Sequence, residues 1–197
     1  MGLILNGNEP SKILYNGAEV SLYFNGSKIW PVTPVLDEIT IGTQTWKIKN
    51  LSIDDGQGGI YTQTVNYGQG NVVEYYYTWE AALRVASTVT GWHLPTRAEW
   101  DTLATAVGSN AGKKLKATYG WAYDANGTDE FGFRGFPAGL WNSDSFKYLS
   151  TNELFWTATE YSSTKAYNRM LGTGSSLISD NNDKTLGYSV RLIKDAA

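Results

Sequence analysis

Nucleophiles, general bases and metal ligands are scarce in this chain. It holds no cysteine and a single histidine, His93. Without cysteine there is no thiolate nucleophile, disulfide, zinc–thiolate site or iron–sulfur cluster. One histidine leaves no means of building a His-rich metal centre or a His-based triad network. His93 sits just before Pro95 and Thr96 in GWHLPTRAEWDTL, where it is read as a structural side chain hydrogen-bonded within a turn. Asp124, Asp129 and Glu130 could pair as acid and base, but nothing in their spacing sets opposed pKa values, and they read as solvated loop acids. Asp180, Asn181, Asn182 and Asp183 offer hard oxygens that would suit calcium. A solvated turn explains that run as well. No catalytic residue, metal site or cofactor is therefore expected, and an enzyme is the last reading.

The elements that carry these residues divide into an arm and a body. Residues 3–30 hold a near-repeat, LILNGNEPSK, ILYNGAEVS and LYFNGSKIW, each with an apolar run before Asn-Gly. Asn and Gly accept positive φ, so turns are expected at Asn6-Gly7, Asn16-Gly17 and Asn25-Gly26 in a small antiparallel meander. Pro31 and Pro34 then interrupt pairing. The expected organisation is an arm over 1–31, a linker over 32–37 and a domain over 38–197. The arm buries too little to stand alone and suits attachment or homo-oligomer (trimer) contacts.

In the body, EITIGTQTWKIKNL (38–51) reads as two strands around Gly42, and 54–70 as a loop. Trp79, Ala82, Leu83 and Ala86 form one helical stripe. Thr96 and Glu99 have capping-box spacing ahead of the stripe Trp100, Leu103, Ala104 and Val107, and Gly108 stops that helix. Beyond Gly112 no long helical period appears, and 117–195 read as short strands and loops. Two helices beside loop-rich strands predict an α+β class.

Composition narrows the partners. With 16 Lys+Arg against 19 Asp+Glu the net charge is -3, so no basic patch for nucleic acid is expected. No segment has the apolar length of a membrane helix, so no membrane insertion is expected. MGLILNGNEPSK lacks the basic start and apolar stretch of a signal peptide. The 8 Trp and 13 Tyr suit packed cores and binding surfaces alike.

Several blocks together carry a resemblance: IGTQTWKIKNL (41–51), YTWEAAL (77–83), GWHLPTRAEWDTL (91–103), GKKLKAT (112–118), NGTDEFGF (126–133), FWTATEYSS (155–163) and GYSVRLIKD (187–195). In that order they resemble the Fibrobacter major paralogous domain family, a branch of the C-type-lectin-like fold related to the formylglycine-generating-enzyme domain. The resemblance implies a lectin-like scaffold without the enzyme's cysteine pair, and similarity to diversity-generating-retroelement variable proteins, whose hypervariable C-terminal segment binds a receptor. The Asn-Gly arm is similar to segments of phage structural proteins.

Of the 31 residues from 157 to 187, 15 are Ser, Thr, Asn or Tyr, the bias of an adaptable paratope. Core-like FWTATEY and GYSVRL pin both ends of the stretch. In AYNRML, Tyr167, Arg169 and Leu171 share one strand face and Asn168 and Met170 the other. The family pattern assigns the Tyr167–Arg169 face to the scaffold, so Asn168 and Met170 are expected outward. Ile178 is expected buried, leaving Ser175, Leu177 and Ser179 outward, with Asn181 and Asn182 in the following turn. The expected ligand-binding patch is these residues, with Tyr161, Ser163 and Thr164 at its edge and Trp141, Asn142 and Tyr148 alongside. The function expected is non-enzymatic binding of a cell-surface protein or glycan receptor, on a phage virion (tail or fibre) or a bacterial cell surface. A calcium-assisted carbohydrate lectin and a purely structural module are the alternatives.

Overall fold

The computed structural model describes residues 22–24, 27–29 and 37–196. The chain divides after Leu36 into two compact units. In the first, β1 (Leu22–Phe24) and β2 (Ser27–Ile29) pair antiparallel with Phe24 opposite Ser27, so the two residues between them are Asn25 and Gly26. The turns expected at Asn6-Gly7, Asn16-Gly17 and Asn25-Gly26, and residues 30–36, lie outside the described residues.

The second unit is α+β. β3 (Glu38–Ile41) and β4 (Gln44–Lys47) form the expected hairpin, and Gly42 takes the positive φ of 60° that its tight turn needs. The stretch expected as a loop from 54 to 70 instead contains β5 (Ile60–Asn66), which pairs along its length with β6 (Asn71–Tyr77). Its polar Thr and Gln residues hide the strand pattern, because the ribbon faces solvent along much of its length.

α1 (Trp79–Ala86) buries Trp79, Ala82, Val85 and Ala86. After the short β7 (Trp92–His93), α2 (Arg97–Val107) starts at the expected box. The Thr96 hydroxyl accepts from Glu99 N–H at 3.2 Å, and the Glu99 carboxylate accepts from Thr96 N–H at 2.7 Å. Two helices were expected; a third, α3 (Ala111–Leu115), follows. With five residues it is too short to show a period, and a left-handed Asn110 (φ 58°) turns the chain into it.

The remaining strands are β8 (Leu140–Asn142), β9 (Ser145–Lys147), β10 (Glu153–Glu160), β11 (Lys165–Leu171), β12 (Leu177–Asp183) and β13 (Ile193–Lys194). They make a β10–β11–β12 sheet, a β3–β4–β13–β7 sheet and a β8–β9 hairpin. β10 is buried on both faces, which is why ELFWT reads as a continuous apolar run instead of an alternation. Leu154 and Trp156 enter a core cluster with Ala82, Val85, Tyr188 and Val190. Phe155 enters a second with Trp46, Trp100, Leu103 and Phe133. Trp100 anchors that second cluster, its ring centroid 4.8 Å from Trp46 and 5.2 Å from Phe155.

Between these elements lies a buried polar knot. Asn50 Nδ2 donates to Glu153 Oε1 at 2.8 Å and to Glu74 Oε2 at 3.4 Å. Arg191 Nε donates to Asn50 Oδ1 at 3.0 Å, and its Nη1 to the Phe133 carbonyl at 2.6 Å. Burial, reinforced by the neighbouring Glu74 charge, pushes the Glu153 carboxyl up to about 8. Burial likewise pulls Arg191 down to about 10, against the attraction of the two glutamates. The knot ties β4's exit, β6, β10 and the C-terminal segment together at one point.

Candidate functional site

β11 is the middle strand of the β10–β11–β12 sheet, and its registers decide which expected patch residues meet. Across β11–β12 the opposed pairs are Tyr167–Asn181, Asn168–Asp180, Arg169–Ser179, Met170–Ile178 and Leu171–Leu177. Opposed residues share a face. Leu177, Ser179 and Asn181 therefore stand on the face of Tyr167, Arg169 and Leu171. Met170 stands instead with Ile178, Asp180 and Asn182. The expected grouping is off by one residue, and a shift of one exchanges the two faces.

Three orientations are corrected accordingly. Asn168 is not outward: it is 1% exposed, because β11 is covered on both faces. Leu177 packs against the second core cluster, while Ile178, expected inside, is 42% exposed. Asp180, Asn181, Asn182 and Asp183 are not a turn but part of β12, so their side chains alternate between faces and do not converge on one ion. The patch thus does not form a single surface. Arg169, on the scaffold face as expected, donates to the Arg97 carbonyl at 3.1 Å and bonds to Asp101 across α2.

The other expected residues separate into exposed turns and a hollow. Ser163 and Thr164 are exposed in the β10–β11 turn, where both carbonyls accept from Lys184, by its side chain and backbone respectively. Tyr161 is exposed beside them and meets Tyr167 edge-on at 5.2 Å. Ser175 is exposed in the β11–β12 turn, its carbonyl held by Lys113 N–H at 3.2 Å. Trp141 stacks on Tyr61, centroids 3.4 Å apart and planes within 9°, which commits its ring to packing.

Asn142, Tyr148, Met170 and Asn182 come together around a hollow of about 400 Å3. Its apolar wall is Leu140, Leu154, Met170 and Leu186, and Lys147, Asn152 and Tyr188 complete it. Tyr188 is 1% exposed, yet lines this space. Burial raises its phenol pKa, and the Asp180 and Asp183 charges raise it further, so the hydroxyl stays a proton donor. Among the described residues neither the Tyr188 hydroxyl, the Asn182 amide nor the Lys147 ammonium is engaged in a side-chain hydrogen bond. Asn152 Nδ2 is turned toward Met170 Sδ at 3.1 Å. Tyr148 is exposed where it lines the hollow, on a left-handed backbone (φ 58°) just after the β8–β9 hairpin.

This arrangement holds donors, an amide pair and an aromatic edge over an aliphatic wall, the ingredients of reversible recognition. It contains no nucleophile–base pair. Among the described residues no group of three or more His, Cys, Asp or Glu side chains is gathered to hold a metal ion. His93 lies away from the hollow. Its Nε2 meets Glu99 Oε1 at 2.9 Å and its Nδ1 meets Asp195 Oδ1 at 2.6 Å, so it fastens the α2 start to the C-terminal segment. That is a longer reach than the local turn expected of it.

A family model described as the Fibrobacter succinogenes major domain matches residues 39–194. The chain belongs to this family. No curated protein and no solved structure matches it. The family's span opens in β3 and closes in β13, strands that both flank β4 in one sheet. The domain is therefore sealed where its two ends meet. Within the Fibrobacter succinogenes major domain, sequence reasoning missed Leu140, Lys147, Asn152, Leu154, Leu186 and Tyr188 as residues of the hollow. GYSVRL signals burial, and burial alone does not distinguish a core tyrosine from one that also lines a hollow.

Proposed function

We propose that the body is a non-enzymatic receptor-binding domain on a C-type-lectin-like scaffold, akin to the variable proteins of diversity-generating retroelements. Its contact surface is the hollow of Asn142, Tyr148, Asn182 and Tyr188, continued over the exposed side chains of β12 and its turns. The supporting observation is the convergence there of the Lys147, Asn182 and Tyr188 polar groups, brought together from the β8–β9 hairpin, β12 and the segment that follows it. A cell-surface protein or glycan satisfies these groups without any cofactor. The domain acts on a phage particle or a bacterial surface, the Asn-Gly arm attaches it or trimerises it, and repeated copies raise a weak single-site affinity through avidity.

Adsorption of the labelled full chain to a panel of bacterial cells and to a glycan array tests this. Asn182→Ala and Tyr148→Ala should each abolish binding to a responsive target by at least tenfold while melting as the parent does. Unchanged adsorption in both variants would sink the assignment. A survey of sibling genomes adds an independent arm: substitutions should concentrate at exposed positions such as Ser175, Ile178 and Ser179, and an even scatter argues against a variable surface.

A further inference from the structure

A second hollow, of about 270 Å3, shares no lining residue with the first. Its volume is roughly twice the 150 Å3 that accommodates benzene, which fits a two-ring body or a single ring with a short chain. One wall is aromatic. Tyr67 stacks on Phe136 at 4.8 Å, and Tyr119 meets Phe136 edge-on at 5.0 Å. Val72 and Val73 line it and are 46% and 51% exposed, unusual for adjacent β-branched residues on a hairpin in water and consistent with an apolar mouth.

The polar groups are placed unevenly. At the floor, the Glu74 carboxylate accepts from Tyr67 Oη at 3.1 Å, and Arg191 lies beside it, so the floor's formal charges cancel. Burial also holds the Glu74 carboxyl above its usual range, which the hydrogen bonds from Tyr67 and Asn50 only partly oppose. At the exposed rim stand two cations. Lys49 forms no ion pair among the described residues, and Arg134 approaches only Asp129, at 4.0 Å. The lining as a whole therefore mixes exposed valines with two cations at its mouth and is aromatic within.

We propose that this hollow is a binding site, separate from the receptor surface, for a small amphiphilic carboxylate. The ring or aliphatic body packs on Phe136 and Tyr119, and the carboxylate sits at the rim with Lys49 and Arg134. A neutral hydrocarbon fills the same space but leaves the cations unpaired. A cationic analogue is repelled at the rim. A phosphate or sulfate ion alone lacks the body that the aromatic wall requires.

Calorimetry and saturation-transfer NMR on the full chain, with three naphthalene probes, test the proposal. 2-Naphthoate should bind at least tenfold more tightly than 2-naphthylmethanol, the order of one charge-assisted hydrogen bond, and 2-naphthylmethylamine should bind most weakly. Lys49→Gln with Arg134→Gln should remove the preference for naphthoate over the alcohol. Lys49→Glu alone, a substitution at an exposed side chain, leaves one cation and one anion at the rim and should cancel the preference for naphthoate over the amine. Tyr148→Ala, in the other hollow, should leave all three affinities unchanged. Equal affinity for the acid and the alcohol, a preference that survives the double substitution, or no saturation transfer from naphthoate at millimolar concentration would each overturn the proposal. None of these outcomes touches the receptor surface, which is read by adsorption.

Discussion

Asn168 lies directly opposite Asp180 across the β11–β12 pairing, yet the two meet different surroundings. Asp180 is exposed at the sheet edge, where its carboxylate accepts from Asn181 N–H at 2.8 Å. Asn168 is sealed inside, and neither its Oδ1 nor its Nδ2 has a hydrogen-bond partner among the described residues.

A buried amide without partners carries its desolvation cost uncompensated, roughly 1–3 kcal/mol. Asn168→Leu, similar in shape and apolar, should therefore raise stability by about 1 kcal/mol. The urea midpoint should rise with an unchanged slope. Asn168→Asp should destabilise strongly, because it buries a charge. A loss of more than about 1 kcal/mol in the leucine variant would show that the amide is in fact satisfied.

Gly112 in α3 couples that helix to the turn before β12. A Cβ built there would stand 2.3 Å from the Ser176 carbonyl oxygen and 2.9 Å from that of Ser175. Both are backbone atoms, so no rotamer change relieves the clash. Gly112→Ala should cost roughly 2 kcal/mol or more and displace the turn. Amide exchange should quicken across Leu177–Asp183 while α1 keeps its protection.

The Glu74–Glu153 knot makes stability fall with rising pH. Folded Glu153 holds its proton to about 8, whereas the unfolded side chain releases it near 4.5. The folded state binds more protons through that window, so the stabilisation is complete below about 4.5 and is lost as pH climbs through 8, at up to about 1.4 kcal/mol per pH unit for one proton. Glu74→Gln removes the neighbouring charge that helps to raise Glu153, and should flatten the decline. Denaturant midpoints from pH 5 to pH 9 in parent and variant would measure it, and parallel curves would contradict it.

His93 predicts a second, local pH dependence. Burial lowers the ring's pKa, but the hydrogen bonds to Asp195 and Glu99 outweigh that and leave it above the ordinary 6.5. The attachment of the C-terminal segment is then complete below 6.5 and weakens as pH rises through the folded value. Asp195 N–H, which donates to the Gly91 carbonyl at 3.0 Å, should lose exchange protection beyond the pH-driven intrinsic rate over that range. His93→Gln should show the loosened state at every pH.

Much of the local structure was written in short-range pattern. The Thr96–Glu99 box and the Trp100–Leu103–Val107 stripe specify α2, because capping and a 3.6-residue period act within one element. Gly42 marks the β3–β4 turn, and the seven blocks, apart from Asp195 at the end of the last, fall within the span that the family model matches. Short elements with weak periods were not legible: α3 has too few residues to show one, and β5 alternates polar side chains on an exposed ribbon.

The site divides along the same line. Composition alone already excluded thiol and multi-histidine chemistry and pointed to the polar C-terminal segment as adaptable surface. Which of its residues face outward was settled by the β11–β12 register, and a one-residue difference in register sends Leu177 inward and Ile178 outward. The hollow that joins Asn142 and Tyr148 to Asn182 and Tyr188, and the knot that joins Asn50, Glu74, Glu153 and Arg191, are built from residues far apart in the chain. Their contacts depend on how whole elements pack against one another, and no local period of the sequence encodes that distance.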